Sequence, residues 1–124
     1  MKEIRTAHAP APVGPYSQAI EASGMVFCSG QIALDPSSGQ MVGDTPAAQT
    51  EKLMDNMRAV LESAGVGMDK IVKTTIFLLD MKAFAEVNAV YERKLSGHRP
   101  ARSTVAVSAL PKGALVEIEC LAVK

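Results

Sequence analysis

Neither sign of charge is in excess in this sequence: 13 Lys and Arg residues balance 13 Asp and Glu residues. A surface that binds nucleic acid is ordinarily a clustered basic face, because neutralising phosphates supplies most of the affinity. The densest basic cluster here, Arg93-Lys94 with His98, Arg99 and Arg102, is modest and has no aromatic among its charges to stack a base. No nucleic-acid partner is expected. Long apolar runs are missing too. Nothing approaches the ~20 residues that a membrane-spanning helix needs, so no membrane partner is expected either.

Cysteine and histidine are scarce. Cys28 and Cys120 both sit in apolar, strand-like runs and read as small buried thiols. His8 and His98 lie far apart, and the cysteines form no CxxC pair, so no metal-ligand spacing is visible. GxSxG, P-loop and GxGxxG motifs are absent, and no histidine has an orienting carboxylate at a recognisable spacing. Neither metal nor cofactor is expected. The start, Met1-Lys2-Glu3-Ile4-Arg5, is charged and runs into prolines, unlike a secretory leader. The expected setting is reducing and cytoplasmic.

What is present is an ordinary globular composition, 48% hydrophobic and 21% charged. The length predicts one domain over residues 1–124, with chain enough for one core. His8 to Tyr16 holds three prolines, which excludes a helix or central strand. Met25–Ile32 reads as a strand, with Gly30 marking a bulge or a close approach. Thr45-Pro46 starts a helix with Thr45 as N-cap, and Met54, Met57, Val60, Leu61 and Ala64 form its apolar stripe up to Gly65. Ile71–Leu79 is a second strand. Asp80 caps a second helix with the stripe Phe84, Val87, Tyr91 and Leu95. Strands follow at Ser103–Val107 and Val116–Val123, with weaker extended pieces near Ile4 and Ile20. The order predicts an α+β sandwich with two helices on one face of a sheet. Its other face, partly apolar, is left for self-association.

Four positions could carry chemistry. Arg102, in Arg99-Pro100-Ala101-Arg102-Ser103, stands where a Pro-stiffened loop enters a strand, and could offer a bidentate fork to a carboxylate. By position alone a surface salt bridge is the commoner role. Glu117 and Glu119 share a strand face and could hold a water, or simply be solvated. Tyr16 could cap a pocket or merely pack. Asn88 falls one position off the apolar stripe and reads as solvent-facing.

The same places carry a family likeness. Gly14-Pro15-Tyr16-Ser17-Gln18-Ala19, Ser29-Gly30-Gln31-Ile32, Asn56-Met57, Ile71-Val72-Lys73-Thr74-Thr75, Asn88 with Tyr91, Pro100-Ala101-Arg102-Ser103, and Leu110-Pro111-Lys112 with Val116-Glu117-Ile118-Glu119 occur in register along the chain. Together they resemble the motifs of the reactive intermediate deaminase A (RidA/YjgF) family. The resemblance implies a chorismate-mutase-like fold, a homotrimer with sites between subunits, and cofactor-free hydrolysis of 2-iminobutanoate and 2-iminopropanoate to 2-oxo acids and ammonia. It implies that Arg102 binds the substrate carboxylate and Glu117 positions or activates water. Tyr16, Ser29, Gly30 and Thr104 are then substrate-binding; Thr104 stands where the family often has Cys, which argues against an essential thiol there. Arg99 replaces a common aromatic, and the segment between Tyr91 and Pro100 is short; both bear on substrate preference. The alternatives are a non-catalytic trimer that binds small carboxylates, and a ribonuclease or translation inhibitor, a role attached to some relatives.

Overall fold

The computed structural model describes residues 1–124. In chain order the elements are β1 (Lys2–Ile4), β2 (Ala19–Ala22), β3 (Met25–Gln31), α1 (Pro46–Ser63), β4 (Ile71–Leu78), α2 (Phe84–Lys94), β5 (Ala101–Ala106) and β6 (Val116–Val123). The strands form one sheet in the order β1-β2-β3-β6-β4-β5. All neighbours are antiparallel except β4 and β5. That parallel pair needs a crossover, and α2 supplies it. This is the α+β arrangement expected from the sequence.

Helix α1 begins and ends on the residues that its sequence marks. The Thr45 hydroxyl accepts from the Ala48 N–H at 3.1 Å, and Pro46 takes the first helical position, where its missing donor costs nothing. At the other end Gly65 adopts φ +80°, and the Gly65 and Val66 N–H groups fold back onto the Glu62 and Leu61 carbonyls at 2.9 and 3.1 Å. That is a Schellman closure, which a β-carbon at position 65 would strain. The expected stripe of Met54, Met57, Val60, Leu61 and Ala64 is buried, together with Leu53.

The helices cover one face of the sheet. Val116, Ile118, Cys120 and Ala122 of β6 and Ile76 and Leu78 of β4 join α1 and α2 side chains in one core cluster. The intervening Glu117, Glu119, Phe77 and Phe27 are outside it. Period-two alternation in the sequence thus becomes a two-sided sheet. On the helix-free face Phe27 and Val105 remain 48% and 42% exposed. Cys28 and Cys120 face each other across β3 and β6 as buried free thiols. No helix is long and apolar enough to cross a membrane.

Two element starts differ from the sequence reading by more than one residue. Strand β5 starts at Ala101 rather than Ser103, so Arg102 lies inside the strand and not in the loop before it. Asp80 caps a short 3-10 turn, Met81–Ala83, through Oδ1 and the Lys82 N–H at 2.9 Å, and α2 follows at Phe84. Ala83 of that turn is buried, and Phe84, expected in the core stripe, stays 36% exposed at the rim, where its ring meets Arg102.

Candidate functional site

A cavity of about 540 Å³ opens where the proline-rich segment passes the ends of β3 and β6. Its wall includes Tyr16, Gln18, Ser29, Gly30, Lys112, Glu117 and Glu119. The segment is held in place by Gln18, a buried residue whose amide nitrogen donates to the carbonyls of Thr6, Ala9 and Pro10 at 3.1, 3.3 and 2.9 Å. Its Oε1 accepts from the Thr6 N–H at 2.7 Å. Prolines cannot anchor a segment through their own N–H groups, so a side chain does it. Tyr16 is exposed and its hydroxyl accepts from the Val13 N–H at 3.3 Å, bending the segment over the cavity. The Ser29 hydroxyl donates to the Ser17 carbonyl at 2.6 Å and ties the β3 end to the same segment.

Gly30 explains itself here. The strand register shifts between Cys28 and Gln31, and a β-carbon on Gly30 would stand 2.6 Å from Glu117 Oε2. The Glu117 carboxylate therefore lies directly on the Gly30 backbone. It has no cationic partner within salt-bridge distance. Burial, reinforced by the neighbouring Glu119, raises its carboxyl above the usual carboxylate range. Such a group is suited to take and return a proton nearer neutral pH than an exposed Glu. Gly30→Ala is expected to leave the fold intact, because the clash falls on the flexible end of a side chain, but to displace the carboxylate. A melting temperature within a few degrees of wild type and a turnover at least about tenfold lower is the expected pair of results.

Arg102 has a different setting. It projects from β5 onto α2, where Nη1 donates to Asn88 Oδ1 at 2.8 Å. The guanidinium carbon stands 5.5 Å from the Phe84 ring centroid and 5.2 Å from that of Tyr91. No carboxylate pairs with it, so the commoner salt-bridge role does not apply. Stacking on aromatic rings and one charge-assisted hydrogen bond hold the group while leaving its charge uncompensated. Beside it lies a cleft of about 350 Å³ walled by Asn88, Tyr91, Glu92, His98, Arg99, Pro100 and Arg102. Glu92 in this cleft pairs with Arg99 at 3.9 Å. His98 Nε2 contacts the Ile71 carbonyl at 2.6 Å, which assigns the hydrogen to that nitrogen.

The structure brings Tyr16, Ser29, Gly30 and Glu117 together, and sets Arg102 apart from them. Arg102 pairs across β4 with Thr74 and faces the helices; Glu117 pairs with Phe77 and faces away from them. Within one chain the two halves lie on opposite faces of the sheet. Thr104 shares the Arg102 face, two residues along β5, but lines neither cavity. Its Oγ1 is buried without a hydrogen-bond partner. Sequence reasoning passed over Asn88 as solvent-facing; it is half-buried and holds Arg102. The spacing of Phe84, Asn88 and Tyr91, four and then three residues apart on one helical face, was the available signal.

The profile of a family described as Endoribonuclease L-PSP matches residues 6–124. A RutC family protein of Synechocystis is 52% identical over 125 residues, covering 99% of this chain and 96% of its own. The 2-iminobutanoate/2-iminopropanoate deaminase of Escherichia coli K12 is 44% identical over 126 residues, covering 99% and 98%. The crystal structure of E. coli TdcF with bound serine has a TM-score of 0.95 at 38% identity, covering 100% of this chain and 99% of that one.

Proposed function

Because the chain belongs to the Endoribonuclease L-PSP family, that of the RidA/YjgF proteins, we propose that it hydrolyses small 2-imino acids to 2-oxo acids and ammonia. The observation that carries this reading is Arg102, a guanidinium held only by neutral groups and therefore free to bind a carboxylate. Arg102 docks the substrate carboxylate through its remaining N–H groups. Glu117 holds a water against the imine carbon and accepts one of its protons as the C–O bond forms. That proton passes to nitrogen, the hydroxyl proton of the tetrahedral intermediate follows it as the C–N bond breaks, and ammonia leaves as the carbonyl forms. An imine carbon is already electrophilic, so placement of the carboxylate, the water and one proton suffices. Tyr16, with the polar groups of Ser29 and Gly30, walls the Glu117 side.

The site is completed between copies of the chain. Its two halves face opposite sides of one sheet, and β5, which carries Arg102, is an edge strand. The partly apolar helix-free face supports the closed trimer that the family likeness implies.

The deciding experiment generates 2-iminobutanoate with a pyridoxal-phosphate threonine dehydratase and follows ammonia release with and without this protein. Faster release is expected. Unchanged release alongside tight binding of 2-oxobutanoate favours the non-catalytic carboxylate-binding module, a reading to which the serine-bound TdcF structure lends weight.

The raised Glu117 carboxyl predicts the acid limb of the pH profile. A base must be deprotonated, so kcat should fall as pH drops through a value above the ordinary 4.5 of a Glu. Glu117→Gln should remove that limb along with most of the turnover. The linked stability effect has the opposite sense. The folded state holds the proton more tightly than the unfolded one, so wild-type stability relative to Glu117→Gln declines as pH rises from 4.5 through the raised value. Thermal melts of both proteins across that window check the sign.

A further inference from the structure

The clamp around Arg102 has a buried component behind the cleft wall. Tyr91 Oη and Thr74 Oγ1 are 2.7 Å apart and buried. Thr74 is also the residue directly across β4 from Arg102. The same threonine therefore holds the ring through its hydroxyl and lies beside Arg102 in the β4–β5 register. We propose that the Thr74–Tyr91 hydroxyl pair is a positioning device for Arg102, fixing the plane of the ring on which its guanidinium rests. The proposal rests on the deaminase reading for its consequence, carboxylate docking, and on geometry alone for the clamp.

The surroundings of the pair support it. Packing by itself would accept Phe at position 91, since Tyr91 belongs to the core cluster; the hydroxyl adds only the bond to Thr74. Phe84, Asn88 and Tyr91 project from one face of α2, so orienting the Tyr91 ring orients one wall of a cage whose others are already set. Every member of the cage is neutral. Burial pushes the Tyr91 phenol up, which keeps it un-ionised. Glu92, the acid in the same cleft, pairs with Arg99 instead. A carboxylate in the position of Asn88 would hold Arg102 as well or better, but would spend the charge a substrate needs.

The test reads Arg102 directly in the free protein. Side-chain NMR of the arginine Nε–H and Nη–H groups, with Arg102 assigned through Arg102→Lys, is compared among wild type, Thr74→Val, Tyr91→Phe and Tyr91→Leu. Stacked between two rings, Arg102 is expected to show ring-current-shifted signals and slowed rotation about Cζ–Nε. In Tyr91→Leu these should collapse toward those of exposed arginines. Thr74→Val and Tyr91→Phe, which keep the ring but release it, should lie between. Melting curves identify which variants are folded. Unchanged Arg102 signals in the folded variants overturn the proposal. In turnover, Thr74→Val should raise KM about tenfold with kcat nearly constant, and should add nothing in an Arg102→Ala background. An equal effect in both backgrounds marks a merely structural role and also overturns it. If wild type fails to hydrolyse the imine, the functional reading falls, and the NMR comparison still decides the clamp.

Discussion

Arg102→Ala is expected to lose most imine hydrolysis while the protein still folds and assembles. A charge-assisted, partly desolvated carboxylate contact should be worth on the order of 2–5 kcal/mol, a fall of tens- to thousands-fold in kcat/KM. The small structural cost follows from the cage. Removing one member of a buried ion pair strands the other charge, but Arg102 has no charged partner to strand. What is lost is the hydrogen bond that Arg102 donates to Asn88 and two ring contacts at the rim of α2, the latter roughly 0.5–1 kcal/mol each at a partly exposed site. Arg102→Lys should not restore activity, because an ammonium lacks the planar fork for a carboxylate and the flat face for the rings. Imine hydrolysis, calorimetric titration with 2-oxobutanoate and a melting curve on each variant make the check. Wild-type hydrolysis by Arg102→Ala would falsify the assignment of the carboxylate site.

Mixing two inactive variants should bring activity back. If Arg102 of one chain works with Glu117 of another, then Arg102→Ala and Glu117→Ala chains unfolded together and refolded at equal ratio will form some intact sites. Each site draws its arginine from one chain and its carboxylate from a neighbour, so random assortment in a closed ring restores about one quarter of wild-type activity. A site built within one chain would restore none, since every chain carries one defect. Refolding each variant alone is the control. Light scattering on the mixture should give a trimer mass; a monomer mass at micromolar concentration would remove the shared-site reading.

Much of the fold could be read residue by residue. The Thr45-Pro46 start, the Gly65 closure and the α1 stripe are local features, decided by hydrogen bonds and side-chain spacing within a few residues. The alternation in β6 was equally plain, and so was the likeness that singled out Arg102 and Glu117. The errors sit where local signals stop. Spacing alone places Phe84 in the core stripe of α2, but its ring is at the rim against Arg102, which comes from a distant strand. Asn88 reads as solvent-facing from local spacing because its partner comes from a strand 14 residues away.

By itself, then, the sequence determined which segments are helix and strand, which side chains form the core, and which family motifs are present. These depend on periodicity, capping and composition, all carried by neighbours along the chain. The tertiary structure alone decided that Glu117 rests on Gly30, that Arg102 sits in a neutral cage, and that the two face opposite sides of the sheet. The reason is that these are relations between strands: alternation within β6 turns Glu117 away from the core, but only the pairing of β5 beside β4 puts Arg102 on the helix-covered face with Thr74.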